Sequence, residues 1–198
     1  MFLSKLTADI MNPSVRQSLN NRQDMHRTLA RSFGTDTLYR LIKQRSSVQI
    51  LVLSIASPDL EFLQKNGLTL NNTMDLTELS SKYRDGTVFR FNLLACPSKK
   101  APVKGRNSRR VFLKSVEDRQ TWLQRQAEKY GFVLLESHEP SAAESINITR
   151  GTGNFRITAI EYDGVLRIKE ADIFWRSWEQ GFGPEKAYGA GLMLLSRL

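Results

Sequence analysis

The order of strand-like and helix-like segments constrains the fold of this chain more than any other feature of its sequence. The predicted elements are, in chain order, a strand at 2–10, a helix within 15–33 that ends at Gly34, strands at 38–43 and 48–56, a short helix after Pro58 and a strand at 87–95. This order, β-α-β-β-α-β over about 95 residues, is typical of the split βαβ or ferredoxin-like arrangement.

The second half of the chain repeats the pattern less regularly. Ser115 and Asp118 have the spacing of a capping box at the start of a helix. The remaining predicted elements are a strand at 111–114 that pairs with 87–95, a helix at 116–130, strands at 132–136, 146–149 and 154–162, a turn at 163–164, a strand at 165–169, a helix at 171–180 and a strand at 192–195. The sequence therefore predicts two small α/β modules in tandem with a boundary near residues 85–100, and we divide the chain at 1–90 and 91–198.

Cysteine content and hydropathy argue against a disulfide-bonded, secreted or membrane-spanning protein. Cys96 is the single cysteine, so no internal disulfide can form, which fits a reducing compartment. Charges interrupt the apolar residues at the N-terminus, and this argues against a signal peptide. The longest apolar run, residues 48–56, is the length of a strand and far short of a membrane span. We expect a cytoplasmic protein that does not bind membranes.

The net charge of +9 comes from two segments. Residues 99–110 hold six basic side chains and no acid, and residues 16–45 hold seven basic side chains and two acids. The rest of the chain is slightly acidic. Basic side chains clustered in this way are typical of a protein that binds a polyanion, and nucleic acid is the favoured partner. The alternative is a solvated loop and a charged helix face in an ordinary basic protein.

The small number of histidines and cysteines argues against metal-dependent chemistry. The chain has only His26 and His138 and no cysteine pair, and its acidic residues are scattered, so neither a zinc site nor a two-metal site is indicated. No P-loop or Rossmann glycine pattern is present. We therefore expect chemistry without metal or another cofactor. His138 lies in an acidic segment and is interpreted as a surface residue.

His26 is placed at the edge of the apolar face of its predicted helix. At about 100° per residue, Arg27 and Arg31 form a basic ridge on the far side of this histidine from Met25. A half-desolvated imidazole beside bound phosphate suits general acid or base catalysis. We expect the two cations to lower the pKa of His26 and a bound phosphate to raise it. The alternative is a boundary histidine that only covers the core.

Two other segments could contact phosphates. The glycine-rich segment Gly181–Gly191 contains Lys186 and allows close approach of the backbone to an anion; its alternative is a helix C-cap followed by turns. The predicted hairpin around residues 150–153 carries Arg150 and Arg156 and could insert a basic finger into a groove. An ordinary hairpin tip is the alternative for that segment.

Several sequence segments, taken together, resemble one family along essentially the whole chain. The most specific of these is Gly-x-Gly-Pro-x-Lys-x-x-Gly-x-Gly-Leu at the C-terminus. The segments are residues 2–6, 24–29, 89–97, 122–125, 162–166 and 181–192. The chain resembles the CasE (Cse3) family, the CRISPR RNA-processing endoribonuclease subunit of type I-E Cascade.

The resemblance implies two tandem ferredoxin-like, RRM-like domains of α/β (α+β) type and cleavage of repeat-containing precursor RNA without metal. In that family the 2′-hydroxyl at the base of a repeat hairpin attacks the adjacent phosphate, which yields 2′,3′-cyclic phosphate and 5′-hydroxyl ends. The enzyme then keeps the hairpin. His26 corresponds to the general acid or base, and Arg27 and Arg31 to supporting basic residues. The implied partners are the CRISPR repeat RNA hairpin and other Cascade subunits.

One position departs from the family pattern. Some members have a catalytic tyrosine three residues before the histidine, where this chain has Gln23. Tyr39 or Tyr188 could replace it, or His26 could act without a phenol. The departure keeps open an alternative function, a hairpin-binding subunit without catalysis. A structural protein with an incidental basic surface is a third, weaker hypothesis.

The expected RNA-binding residues come from the basic segment 99–110, the predicted hairpin around 150–153 and the glycine-rich segment, because hairpin RNA is recognised mainly by shape and backbone contact. They are Lys99, Lys100, Lys104, Arg106, Arg109, Arg110, Arg150, Arg156, Gly183, Lys186, Gly189 and Gly191.

Overall fold

The structure, a computed structural model, describes residues 1–44, 47–103 and 106–198. Its first sheet contains four antiparallel strands in the order β2-β3-β1-β4. The strands are β1 (Phe2–Ala8), β2 (Leu38–Lys43), β3 (Val48–Ser54) and β4 (Leu68–Asp75). Since the first strand lies between the third and fourth, this is the strand order of a ferredoxin-like domain.

Two consecutive helices, rather than one, connect β1 to β2. They are α1 (Pro13–Asn20) and α2 (Arg22–Phe33), and the predicted single helical stretch breaks at Asn21, whose backbone is extended. Helix α2 ends at Gly34, as predicted, with a φ of 96°. Its buried residues Met25, Leu29 and Phe33 pack with apolar residues of the sheet in one core cluster. Fully burying each such side chain stabilises the fold by about 1.5–3 kcal/mol, which anchors α2.

Strand β4 was missed by the sequence analysis, which took residues 87–95 as the fourth strand. After Leu68, β4 is largely exposed, so it lacks the alternating polarity that identifies a strand. Helix α3 (Leu60–Lys65) precedes it, as expected, and α4 (Leu79–Lys82) follows it. The strand at 87–95 belongs to the second sheet.

The second sheet contains strands in the order β11-β5-β10-β8, with β9 paired to the first half of β10. These strands are β5 (Val88–Ala95), β8 (Phe132–His138), β9 (Glu144–Arg150), β10 (Gly153–Ile168) and β11 (Met193–Arg197). With β5, β8, β10 and β11 taken as first to fourth, the order is again that of a ferredoxin-like domain. The division of the chain at residues 90 and 91 stays a prediction; pairing places all of β5 in the second sheet.

The predicted turn at Asp163-Gly164 is wrong, because β10 continues through it. Gly164 pairs with Phe91 on one side and with Ser137 on the other. A Cβ atom at Gly164 would lie 2.0 Å from the carbonyl oxygen of Glu136. This glycine therefore permits close strand approach rather than a turn.

The predicted pairing of residues 111–114 with 87–95 is also wrong. Strand β7 (Arg106–Phe112) pairs instead with β6 (Ser98–Val103) in a separate two-stranded hairpin. The basic segment thus forms the arms of the β6–β7 hairpin, which is inserted between the first strand and first helix of the second domain.

Helices α5 (Val116–Lys129) and α6 (Ala171–Gln180) complete the second domain. The predicted N-cap of α5 is confirmed, since the Ser115 Oγ accepts the N–H of Asp118 at 3.1 Å. The core of this domain also includes Leu38 and Leu53 from the first sheet, so the two domains pack on each other. None of the helices in the described part of the chain is both long and apolar enough to cross a membrane.

Candidate active site

His26 lies half-buried on α2 at the rim of a cleft between the two domains. The cleft has a volume of about 690 Å³. It is lined by Met1, His26, Thr35, Asp36, Thr37, Leu38, Leu53, Ser54, Ile55, Glu179, Gln180, Lys186 and Ala187. Residues from both ends of the chain meet here, so the cleft exists only in the folded protein.

The imidazole of His26 is partly shielded from solvent by the fold. Partial burial lowers its pKa below the ordinary value of 6.5. A lower pKa was expected from the two neighbouring arginines, whereas the cause in the structure is desolvation of the charged form. A neutral imidazole at pH 7 can accept a proton from a hydroxyl group.

Arg27 and Arg31 do not line the His26 cleft. The Nη2 of Arg27 lies 2.5 Å from the Oδ1 of Asp24, and the guanidinium of Arg31 lies 4.7 Å from the ring centre of Phe62. Both arginines face a separate groove on the other side of α2. The structure thus separates the predicted basic ridge from the histidine, and a supporting role in catalysis stays a prediction.

Lys186 is the predicted residue that the fold does bring to the cleft of His26. It begins a short 3₁₀ helix, Lys186–Tyr188, that packs against α2. Burial, and then the charge of Lys129, lowers the pKa of Lys186. The preceding residue, Glu185, has a φ of 63°. A non-glycine residue in this left-handed conformation costs about 1–3 kcal/mol, and such residues cluster at functional sites.

The backbone amides of Gly189 and Gly191, which flank the Lys186 helix, are already bonded within the fold. Gly189 and Gly191 have φ values of 86° and 87°. Their N–H groups donate to the carbonyl oxygens of Lys186 at 3.2 Å and Leu94 at 2.7 Å. At Gly183, a Cβ atom would lie 3.2 Å from the Trp122 ring. These contacts support a role in placing the lysine, whereas the sequence suggested a phosphate cradle.

Neither tyrosine suggested as a replacement for the phenol at the Gln23 position lines the cleft. Tyr39 is completely buried, its hydroxyl donates to the Arg22 carbonyl oxygen at 3.2 Å, and burial raises its pKa. Tyr188 is buried with its ring edge-to-face against Phe155, 6.0 Å between centres. Both phenols therefore serve packing.

The β6–β7 hairpin presents exposed basic side chains on both of its faces. Lys100 lies opposite Arg110, and Arg109 lies opposite Ala101. Because side chains alternate along a strand, Lys99 shares its face with Arg109, and Lys100 shares the other with Arg110. Of the remaining predicted binding residues, Lys104 and the side chain of Arg106 lie outside the part of the chain that the structure describes.

The predicted hairpin around residues 150–153 is confirmed as the β9–β10 hairpin. Arg150 and Arg156 are exposed on it, and the Nε of Arg156 donates to the Oδ1 of Asn147 at 3.0 Å. Strand β9 packs against α2, so this basic hairpin adjoins the helix that carries His26.

The polar residues that share the cleft with His26 were not predicted from the sequence. Thr35, Asp36 and Thr37 follow the C-cap of α2, where a polar run after Gly34 was the available signal. Glu179 and Gln180 end α6, and nothing local distinguishes them. Within the described residues, no three His, Cys, Asp or Glu side chains come together as metal ligands.

Comparison with known proteins gives consistent matches over nearly the whole chain. The model of the family described as CRISPR associated protein matches residues 1–197. The CRISPR-associated endoribonuclease Cse3 of Thermus thermophilus is 25% identical over an alignment of 213 positions that covers 98% of each protein.

The solved structures agree with this match. A structure of CRISPR endoribonuclease Cse3 bound to 19-nucleotide RNA has a TM-score of 0.86 at 25% identity, covering 99% of this chain and 100% of that one. A chain of a CRISPR RNA-guided surveillance complex, pre-nicking, has the same fold, with a TM-score of 0.80 at 21% identity and complete coverage of both chains. These likenesses confirm the predicted fold class of two ferredoxin-like domains.

Proposed function

Because this chain belongs to the CRISPR-associated protein family, and within it to the CasE (Cse3) type, we propose that it is a metal-independent endoribonuclease of precursor CRISPR RNA. It binds the hairpin of the repeat and cleaves at the base of that hairpin. The observation that carries the proposal is the meeting of His26 and Lys186, from opposite ends of the chain, in one interdomain cleft.

Cleavage requires proton transfer and stabilisation of charge on a phosphate. His26, neutral because burial lowers its pKa, accepts the proton of the 2′-hydroxyl, whose oxygen attacks the adjacent phosphorus. The bond from phosphorus to the 5′-oxygen breaks, and that oxygen takes a proton from solvent to become the 5′-hydroxyl, while His26 returns the proton it accepted to solvent. The other product ends in a 2′,3′-cyclic phosphate. The ammonium of Lys186 faces the same cleft and offsets the negative charge of the phosphate.

The two basic hairpins supply the affinity for RNA. A-form RNA offers phosphates and shape rather than accessible base edges in its major groove. Lys99, Lys100, Arg109 and Arg110 project from both faces of the β6–β7 hairpin, and Arg150 and Arg156 project from the β9–β10 hairpin. Binding should weaken steeply with salt, since each neutralised phosphate releases counterions.

The protein keeps the cleaved hairpin and joins other Cascade subunits in the cytoplasm. This part of the proposal is supported by the fold that the protein shares with a chain of a CRISPR RNA-guided surveillance complex. A second function, hairpin binding without cleavage, is favoured by one observation: Gln23 stands where some family members have a catalytic tyrosine, and neither Tyr39 nor Tyr188 lines the cleft.

The deciding experiment incubates the protein with repeat RNA in EDTA. We expect a single cleavage at the hairpin base, a 2′,3′-cyclic phosphate on the upstream fragment and a 5′-hydroxyl on the downstream one. Tight hairpin binding with no cleavage at any pH or metal concentration would support the non-catalytic function instead. Binding that is insensitive to salt and shows no hairpin preference would exclude both.

A further inference from the structure

We propose that Asn21 is a positioning residue that ties the β9–β10 hairpin to the helix carrying His26, so that RNA held by the hairpin sets the position of the imidazole. This inference rests on the proposed function. It concerns a residue outside the cleft, at the junction between the two domains.

The side-chain amide of Asn21 makes four hydrogen bonds. Its Oδ1 accepts the N–H of Gln23 at 3.2 Å and the N–H of Thr149 at 2.9 Å. Its Nδ2 donates to the Oδ2 of Asp24 at 2.9 Å and to the carbonyl oxygen of Thr149 at 3.2 Å. An amide has two acceptor sites and two donors, so the hydrogen-bonding capacity of this side chain is fully used.

Two of these bonds stabilise the start of α2, and the other two join it to β9. The bond from Gln23 is the N-cap of α2, and the bond to Asp24 lies within the first turn of the same helix. The two bonds to Thr149 join the N–H and C=O of one backbone residue, as a neighbouring strand would. Asn21 therefore links the first turn of α2 in one domain to β9 in the other.

One end of this link adjoins the proposed RNA-binding hairpin, and the other end lies near the proposed catalytic histidine. Thr149 immediately precedes Arg150 and the hairpin turn, and it pairs with Asn154 across the hairpin. At the other end, His26 follows Asn21 by five residues, about 7.5 Å along the helix axis. Two hydrogen bonds and about one and a half turns of helix therefore connect the basic hairpin to the imidazole.

A second contact fixes the same helix start to the opposite end of β9. The Nη2 of the buried Arg22 lies 3.5 Å from the Oε1 of Glu144, and the Nζ of Lys43 lies 3.1 Å from the same oxygen. Strand β9 is thereby held to the first domain at both ends. The Asn21 bonds are the ones beside the hairpin tip, where RNA would act.

The link matters because catalysis depends on the placement of the base. A misplacement of about 1 Å by a residue away from the chemistry can lower the rate about 10²-fold. Loss of the link should therefore slow cleavage while RNA, held by other contacts, still binds.

Replacing Asn21 with serine tests this, because a serine keeps the N-cap but is too short and lacks the amide to bond Thr149. We expect N21S to lower the single-turnover cleavage rate about tenfold, with the RNA Kd within about twofold of wild type and Tm lowered by no more than a few degrees. N21D keeps the acceptor for the Thr149 N–H but places a carboxylate oxygen where the Nδ2 donated to Asp24 and to the Thr149 carbonyl oxygen. Because acceptor then faces acceptor, its rate should fall at least as far as that of N21S.

Matched controls separate the link from capping and from the threonine side chain. Asn12 caps α1 by accepting the N–H of Ser14 at 2.9 Å, so N12S changes an N-cap of the same kind away from β9. Thr149→Ala leaves both backbone bonds in place. Both controls should cleave at the wild-type rate. Wild-type cleavage by N21S, or an equal loss in N12S, would overturn the inference.

A second readout does not need cleavage. With RNA carrying a 2′-deoxy group at the cleavage site, binding should slow amide hydrogen exchange in the first turn of α2 in wild type. In N21S it should slow exchange in the β9–β10 hairpin alone. An unchanged response of α2 in N21S contradicts the inference even if its cleavage is slow. A wild-type protein that binds RNA without cutting it overturns the proposed function, while the exchange comparison still decides the link.

Discussion

The two sides of helix α2 differ although they are built from adjacent residues. One side presents His26 to the interdomain cleft, together with Lys186 from the C-terminal segment. The other side presents Arg27 and Arg31 to a groove formed within the first domain, where Asp24 and Phe62 contact them. Consecutive residues of a helix point about 100° apart, so neighbours in sequence can belong to different sites. We infer that the side with His26 carries the chemistry. The side with Arg27 and Arg31 contributes only to RNA binding.

Removing the imidazole is the strongest test of this comparison. We expect His26→Ala to lower the single-turnover cleavage rate about 10²- to 10⁴-fold, the usual contribution of one general acid or base. RNA affinity, measured by filter binding, should stay at the wild-type level. A variant that cleaves within threefold of wild type would remove His26 from the mechanism.

The second test is the cation that shares the cleft. Lys186→Ala should lower the cleavage rate at saturating RNA about 10- to 100-fold, because one charge that stabilises the reacting phosphate is lost. Lys186→Arg should recover part of the rate. Lys65→Ala removes an exposed lysine of α3 as the control for net charge and should leave the rate unchanged. Equal effects of K186A and K65A would mean that Lys186 contributes only to overall charge.

The arginines on the far side should have smaller effects. Arg31→Ala should weaken RNA binding by no more than a few-fold and reduce the salt dependence of log Kd by at most about one phosphate contact. The cleavage rate of bound RNA should not change. A tenfold slower rate in R31A at saturating RNA would show that Arg31 also contributes to catalysis, so that both sides of α2 belong to one catalytic site.

Of these tests, a change of pH near neutrality should have the smallest effect on the cleavage rate. Because burial lowers the pKa of His26, the base is already neutral at pH 7, and the single-turnover rate should change little from pH 7 to pH 8. Below the lowered pKa, the imidazole is protonated and the rate should fall with decreasing pH. A rate that rises with an apparent pKa above 6.5 in the bound complex would show that RNA phosphates reverse the effect of burial.

Local signals in the sequence predicted much of the fold. The cap of α5 at Ser115, the end of α2 at Gly34 and the β9–β10 hairpin are confirmed, because capping and turn formation involve residues a few positions apart. Strand β4 was missed because its exposed residues do not alternate, and β10 was cut at Gly164 because a glycine that allows close strand approach resembles a turn.

The fold class, the basic clusters and the candidate histidine could all be predicted from the order of the residues. Periodicity, charge and residue type are properties of short segments and need no knowledge of the packing. Which groups meet depends on the folded arrangement: Lys186 lines the cleft of His26, whereas Arg27 and Arg31 face away from it. Asn21 bonds to Thr149, 128 positions later in the chain. The contacts of Lys186 and Asn21 depend on how the two domains pack, and that packing minimises exposed apolar surface over the whole chain rather than within any segment.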